Sequence, residues 1–430
     1  MKLNFLKGKE GRNATWIIGG RVIQMLLSVV VGSLTARYLG QTSYGLIGYG
    51  SAYVAFFTSL CTLGLNSVII KDFVDHPDEQ GEAIGSALVL RIVSSLLSVF
   101  MISGIVFVVD YGEMQTLLVV ALCSLGLVFH VFETFNFWFQ SQYRSKITTM
   151  ATLAAYVVMS LYKIVLLLLG AGMEWFAFAM SVDYIVIAIF LYVAYRRYKG
   201  PRLRFSVKKS KSLLSVSYHY ILSALMIAIY GQTDKIMLRQ MLPAGTGDAA
   251  VGDYTMATTI CAMWVFVLQA IIDSLYPTIL NLYGKDKAGY EKKNRQLYAI
   301  VFYVSLAVSV GFQLLGELVI DIYGGAEYAT AVTPLKIVTW YTAFSYLGVA
   351  RNAWIVSEKK QKYLKYLYGS AAVLNVVLNL ALIPLWGVSG AAAASLVTQI
   401  ATSILLPLCF RELRPNAKLM LEAICLRKLR

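Results

Sequence analysis

The chain has 430 residues, 58% apolar and only 14% charged, where a soluble domain carries about a quarter charged. A mean hydropathy of +0.66 over that length excludes one core buried in water, and with it a secreted, disulfide-built or nucleic-acid-binding domain. The apolar content suffices for roughly twelve spans of ~20 residues, so the net charge of +15 poses a question of topology rather than of a nucleic-acid partner.

The apolar stretches predict helices at 14–37, 44–68, 83–109, 115–139, 148–170, 173–195, 213–233, 254–282, 296–316, 332–357, 363–385 and 388–410. Each can cross ~30 Å of hydrocarbon as a helix, and helices satisfy their backbone polar groups within the segment, as lipid demands. The first stretch follows Lys2, Lys7, Lys9 and Arg12 but runs on to about Ala36 without a small-x-small cleavage site, so it reads as an uncleaved first helix rather than a signal peptide. With the N-terminus inside, 30 of the 38 Lys and Arg fall in inside segments, four outside (Arg37, Lys235, Arg239, Lys336) and four within spans. That asymmetry predicts an all-α polytopic membrane protein with both termini cytoplasmic. The inside cations then meet the inner face of the bilayer, where anionic lipids are their plain partner.

The densest basic stretch, 196–211 (RRYKGPRLRFSVKKSK), divides the chain into an N-terminal six-helix lobe (1–195) and a C-terminal one (212–410), with a basic tail over 411–430. The lobes echo each other weakly: Tyr44-Gly45 against Val251-Gly252-Asp253-Tyr254, and Gly172 against Gly387. Such paired six-helix halves suit a secondary transporter, in which one bundle rocks against the other around a midplane site.

No catalytic motif is present. There is no G-x-x-x-x-G-K-[ST], and the cluster Gly245-Thr246-Gly247 with Gly252 lacks the lysine. His76, His130 and His219 form neither H-E-x-x-H nor a triad, and Cys61, Cys123, Cys261, Cys409 and Cys425 show no metal or disulfide spacing. Neither an enzyme nor a cofactor is expected.

The chemistry lies in ionisable groups inside spans, which cost a few kcal/mol facing lipid and so should face protein or water. Arg21 shares a helix face with Gln24, Ser28, Gly32 and Thr35, and Arg91 one with Ser94, Ser95 and Ser98. His130, Glu133, Phe137 and Gln140 line one stripe of helix 4; Thr152, Tyr156, Ser160 and Lys163 line one of helix 5. Arg21, Arg91 and Lys163 against Glu133 and Asp183 predict a cationic, polar cavity between the halves, suited to phosphate oxygens. The structural alternative pairs Arg21 or Arg91 with Glu133 and lets Lys163 and Arg351 snorkel outward. In the second half, His219, Ser223, Tyr230 and Asp234 share a face, as do Gln269, Asp273 and Tyr276. Asp183 and Asp273 are the candidates for coupling to H+ or Na+, and Asp234 reads alternatively as a solvated helix end paired with Lys235 or Arg239. Tyrosine is heavily used, at 28 residues, and many mark helix ends as an interfacial belt would.

Several motifs, taken in order, resemble one family. Ala36-Arg37-Tyr38-Leu39-Gly40 followed by Tyr44-Gly45 and Tyr49, then Trp138-Phe139-Gln140, then Leu222-Ser223 through Tyr230, Asp234 and Met237-Leu238, and finally Gly387-Val388-Ser389-Gly390-Ala391-Ala392 are similar to the lipid-linked oligosaccharide flippases of the multidrug/oligosaccharidyl-lipid/polysaccharide exporter superfamily. Arg239-Gln240 departs from that pattern, where glycine is frequent. The resemblance covers nearly the whole chain. It implies a multi-pass protein of a bacterial inner membrane that moves undecaprenyl-diphosphate-linked repeat units, such as O-antigen of lipopolysaccharide, by alternating access. It also implies a cationic cavity, met here by Arg21, Arg91 and Lys163 with a polar lining of Gln24, Ser28, His130, Glu133 and Gln140. A polysaccharide polymerase and a chain-length regulator are the protein partners of such a pathway. A multidrug exporter of the same superfamily would favour acidic residues in the N-terminal cavity, and a membrane polymerase or glycosyltransferase would need a large outside loop.

Overall fold

The fold comes from a computed structural model, which describes the backbone over 9–427 except 143 and 244, and the side chains from 23 to 427 except those of 67, 143, 145, 219, 223 and 244. Among the described residues every regular element is helical. In chain order these are α1 (Lys9–Cys61), α2 (Asn66–Asp75), α3 (Gln80–Val109), α4 (Met114–Ser124), α5 (Leu127–His130), α6 (Thr134–Ser141), α7 (Ser145–Leu168), α8 (Met173–Arg197), α9 (Val207–Met241), α10 (Gly247–Ala262), α11 (Phe266–Leu282), α12 (Lys287–Tyr323), α13 (Val332–Ala350), α14 (Asn352–Ser357), α15 (Leu364–Ile400), α16 (Leu406–Cys409) and α17 (Arg414–Ile424).

Eight helices among the described residues are long and apolar enough to cross a membrane, nine when α10 and α11, bent by 42° at their junction, count as one span. Two of the eight contain a break where the sequence predicts a link. In α1 Gly40 takes φ 71°, and in α15 Gly387 takes φ 54°, a left-handed conformation that glycine reaches without a Cβ penalty. α13, over the predicted span 332–357, is a 19-residue helix outside those eight. The predicted fourth span is also interrupted, by a 3-10 turn at Val131–Glu133 between α5 and α6.

The chain divides into two compact units, Met1–Ala228 and Ile229–Arg430, with the division inside α9. Lipid is the solvent for their outer faces: Phe100, Val108, Leu168 and Leu314 are largely exposed. In the first unit Phe135 stacks on Tyr195 at 4.3 Å, and Trp138 meets the same tyrosine edge-on. At the junction of α4 and α5 the chain approaches α8 closely at Gly126, whose N–H donates to Ser181 Oγ at 2.7 Å while that hydroxyl donates to Leu122 O at 2.5 Å. A Cβ at Gly126 would meet the Tyr184 ring and the Ser181 backbone. This crossing fixes Tyr184 beside His130 and so builds part of the site described below.

The basic stretch after α8 lies flat on the first unit. Arg204 N–H donates to Gly81 O at 3.1 Å, Ser206 N–H donates to Ser86 Oγ at 3.1 Å, and the Tyr195 hydroxyl donates to Pro201 O. Lys209 closes the strap with Asp72 at 2.9 Å and Glu79 at 2.8 Å. Desolvation opposes the Lys209 charge, but its hydrogen bonds to Glu79 and Asp72 outweigh that and raise its pKa. The hydrogen bond from Lys209 in turn holds the Glu79 carboxyl below its usual range.

Candidate functional site

In the first unit, α7 packs against both α1 and α8. The three helices enclose a cavity of about 220 Å³ lined by Ser28, Tyr156, Ser160, Lys163, Asp183 and Tyr184 among others. Tyr156, Ser160 and Lys163 fall on one stripe of α7 because they recur at spacings of four and three. Lys163 faces this cavity and does not snorkel outward; Asp183 lies close enough to act on its charge. The His130 ring meets Tyr184 edge-on at 5.1 Å, and His130 Nε2 lies 3.4 Å from Glu133 Oε2. The structure therefore brings together Ser28, Lys163 and Asp183, with His130 and Glu133 one tyrosine away.

Other sequence candidates lie elsewhere. The Arg21 side chain lies outside the described residues. Gln24 and Gln140 are half-buried and neither lines this cavity. Arg91 is 1% exposed and is engaged by protein acceptors: Nη1 donates to Thr134 Oγ1 at 3.0 Å, and Nη2 donates to Asn66 Oδ1 and, at 3.5 Å, to Thr62 O. Its guanidinium lies 5.6 Å from the centre of the Phe137 ring. Those acceptors come from the break after α1 and from the start of α6, where interrupted helices leave polar groups to satisfy. Arg351 reads in the sequence as a snorkelling residue. Instead it is 1% exposed and donates to Thr402 O at 3.0 Å, a carbonyl in the π-helical turn Ala401–Leu405.

In the second unit a cavity of about 390 Å³ is lined by Tyr230, Asp234, Lys235, Tyr254, Tyr341 and Ser395 among others. Asp234 is 2% exposed and accepts four hydrogen bonds. Oδ1 accepts from the amides of Asn375 at 3.1 Å and Asn379 at 2.6 Å; Oδ2 accepts from the Tyr254 hydroxyl at 2.5 Å and from Ser395 Oγ. The solvated helix end expected there is not found: Arg239 pairs with Asp248 at 2.6 Å, and Asp234 is turned into the unit. Every one of these four donors is neutral; the cation that acts on the Asp234 charge is the ammonium of Lys235, which lines the same cavity. Asn379 Oδ1 is buried with no partner. Asp273, by contrast, is exposed on α11, accepts from Gln269 at 2.8 Å and does not line this cavity. The sequence signal for the Asp234 shell is the pair Asn375 and Asn379, four apart in an otherwise apolar run. Among the described residues no three His, Cys, Asp or Glu side chains converge as a metal site would require.

Residues 11–283 match the family model described as "Polysaccharide biosynthesis protein". The chain belongs to that family. A curated relative is the probable flippase AglR of Haloferax volcanii, 25% identical over 414 residues that cover 92% of this chain and 82% of the relative. Among solved structures, the lipid II flippase MurJ in an inward closed conformation matches with a TM-score of 0.72 at 14% identity, covering 95% of this chain and 90% of that one. An inward-facing multidrug resistance MATE transporter of the MOP superfamily matches with a TM-score of 0.69 at 16% identity, covering 95% and 99%. At such identities the structures establish the fold, which this family member shares with transporters of the MOP superfamily. With its apolar helices, that makes it a multi-pass membrane protein.

Proposed function

We propose that this member of the polysaccharide biosynthesis family is a flippase. It carries a polyprenyl-diphosphate-linked oligosaccharide, undecaprenyl-linked in a bacterial inner membrane, from the cytoplasmic to the outer leaflet by alternating access. The observation that carries this reading is Lys163, a cation in a polar cavity enclosed by apolar spans and steadied there by Asp183. An ammonium so placed is a point charge for a diphosphate oxygen. The cavity is smaller than the 300–1,000 Å³ of typical ligand pockets, so it admits a phosphate-sized group rather than a whole glycan. Arg21 is proposed as the second cation, and Arg91 as a support for the broken helices around the site. The relative's printed name, a probable flippase, is consistent with this reading.

Asp234 is proposed as the coupling group for H+ or Na+ in place of Asp273. Transport in one direction requires that the two end states differ in affinity for something. A buried carboxylate held by neutral donors changes the net charge of its unit by one when it takes up a cation. The two polar sites lie in separate units, Met1–Ala228 and Ile229–Arg430, and six-helix lobes over 1–195 and 212–410 remain part of the proposal. Deleting the gene and analysing lipid-linked glycans on each side of the membrane tests the whole reading. Intermediates stranded inside support a flippase, single units accumulating outside would indicate a polymerase, and unchanged glycans with lost drug resistance would indicate an exporter of small molecules.

A further inference from the structure

Topology needs only that the linker between α8 and α9 be basic; a loose chain would serve. The observed strap is built instead. Gly81 and Gly85 on α3 have no Cβ because one would run into the backbone carbonyls of Arg202 and Arg204. Ser86 Oγ both accepts from Ser206 N and donates to Ser206 O. Tyr195, Arg204 and Lys209 add the contacts given above, and the aromatic cluster of Phe135, Trp138 and Phe139 lies beneath, with Phe139 edge-on to Tyr198 at 5.9 Å.

The fixed backbone presents two kinds of side chain outward. Arg196, Arg197, Lys199, Arg202, Arg204 and Lys211 are exposed, and Lys208 with them. Arg144 joins the patch, its guanidinium 5.5 Å from the Tyr198 ring centre. Lys209 engages Asp72 and Glu79 at the strap's end, the other acids of that segment are Asp75, Asp78 and Glu82, and no acidic residue occurs between Asp183 and Asp234. Interleaved with the cations are exposed apolar groups: Leu203 at 43%, Phe205 at 54% and Val207 at 58%. The strap joins two apolar helices, α8 and α9, on the side where Lys and Arg are concentrated, so the nearest anions are the headgroups of the same membrane.

We propose that this strap is a docking surface for anionic phospholipid headgroups of the cytoplasmic leaflet, with Leu203, Phe205 and Val207 set into the acyl boundary. Cations of either kind attract phosphate, but exposed leucine and phenylalanine between them fit a lipid surface better than an acidic protein or a nucleic acid.

The test is native mass spectrometry of the full chain in neutral detergent, titrated with phosphatidylglycerol or with phosphatidylcholine of the same acyl chains. Wild type should retain phosphatidylglycerol preferentially. The exposed triple variant R202Q/R204Q/K211Q should lower that retention on the order of 100-fold, at roughly fivefold per cation. Ser86→Ala leaves every charge in place and unpins the strap, so it should lower the preference as well; size exclusion and circular dichroism confirm that each variant is folded. Equal retention of the two lipids by wild type overturns the proposal, as does unchanged retention by the triple variant. Full preference in Ser86→Ala overturns the role of the fixed backbone. Tighter binding of a soluble polyglutamate than of phosphatidylglycerol would assign the surface to a protein partner instead.

Discussion

Substituting Asp234 separates its charge from its place in the packing. Its Oδ1 faces two amide groups, Asn375 and Asn379, which can only donate there; its Oδ2 faces two hydroxyls, Tyr254 and Ser395, which can rotate and accept instead. In Asp234→Asn, a carbonyl turned toward the amides and an NH2 turned toward the hydroxyls keep the four heavy-atom contacts, and with Tyr254 and Ser395 3.3 Å apart only one hydroxyl hydrogen is left over, so stability should fall by about 1 kcal/mol. In Asp234→Ala the four donors lose their acceptor. Asn379 keeps Asn375 Oδ1 at 3.1 Å, and Tyr254 and Ser395, 3.3 Å apart, can pair with each other. That leaves the Asn375 amide and one hydroxyl hydrogen buried and unpaired, at about 1–3 kcal/mol each. At about 2–4 °C per kcal/mol for a unit of roughly 200 residues, the melting temperature should fall on the order of 10 °C. The assay is thermal unfolding by tryptophan fluorescence beside transport measured across a pH or Na+ series. Asp234→Asn should melt within about 4 °C of wild type and lose the cation dependence. If it melts as low as Asp234→Ala, or if it keeps the full dependence, the assignment of coupling to this carboxylate is wrong.

In a flipping assay with reconstituted protein, Lys163→Ala should lower the rate roughly 10- to 150-fold, the range of a lost hydrogen bond to a charged group, while Lys163→Arg should retain part of it; wild-type rates in Lys163→Ala would exclude the anion site. Arg91→Met should destabilise the first unit by about 3 kcal/mol, because Asn66 Oδ1 and Thr134 Oγ1 lose their donor inside the protein while Thr62 O keeps the Leu65 N–H at 3.0 Å; a variant that melts normally but cannot transport would instead place Arg91 at the substrate. The strap should release in acid. Glu79 has its pKa lowered by Lys209, so its contribution is complete above its ordinary value of 4.5 and is lost as pH falls through the lower folded value. The raised Lys209 keeps the other half of the pair until pH rises past its ordinary 10.5. Hydrogen exchange at the Arg204 amide, slow between those limits, should quicken at the acid end, and a flat profile there would remove Glu79 from the tether.

The spans were legible because lipid imposes a long apolar run on each, and the breaks at Gly40 and Gly387 were legible as links because short polar or glycine-bearing segments interrupt those runs. What a linear pattern cannot carry is which side of a helix is wet. Arg91 shares its face with Ser94, Ser95 and Ser98, and that stripe looks the same whether it lines water or packs on protein. The deciding groups, Asn66 and Thr134, come from breaks in α1–α2 and α5–α6 that hydropathy reads as continuous helix. Lys163 was legible because its own helix supplies Tyr156 and Ser160, so the polar face is local. Asp234 was misplaced for the opposite reason. Its nearest charged neighbours in sequence, Lys235 and Arg239, read as its partners, whereas its actual shell is assembled from α10 and α15, at separations of up to 161 residues. Neutral donors leave no trace in a count of charges. Of the three acids considered for coupling, Asp183 lies beside Lys163 in the first unit; Asp273, exposed on α11 beside Gln269, can exchange protons without altering any packed contact, whereas protonating Asp234 alters hydrogen bonds to α10 and α15 at once.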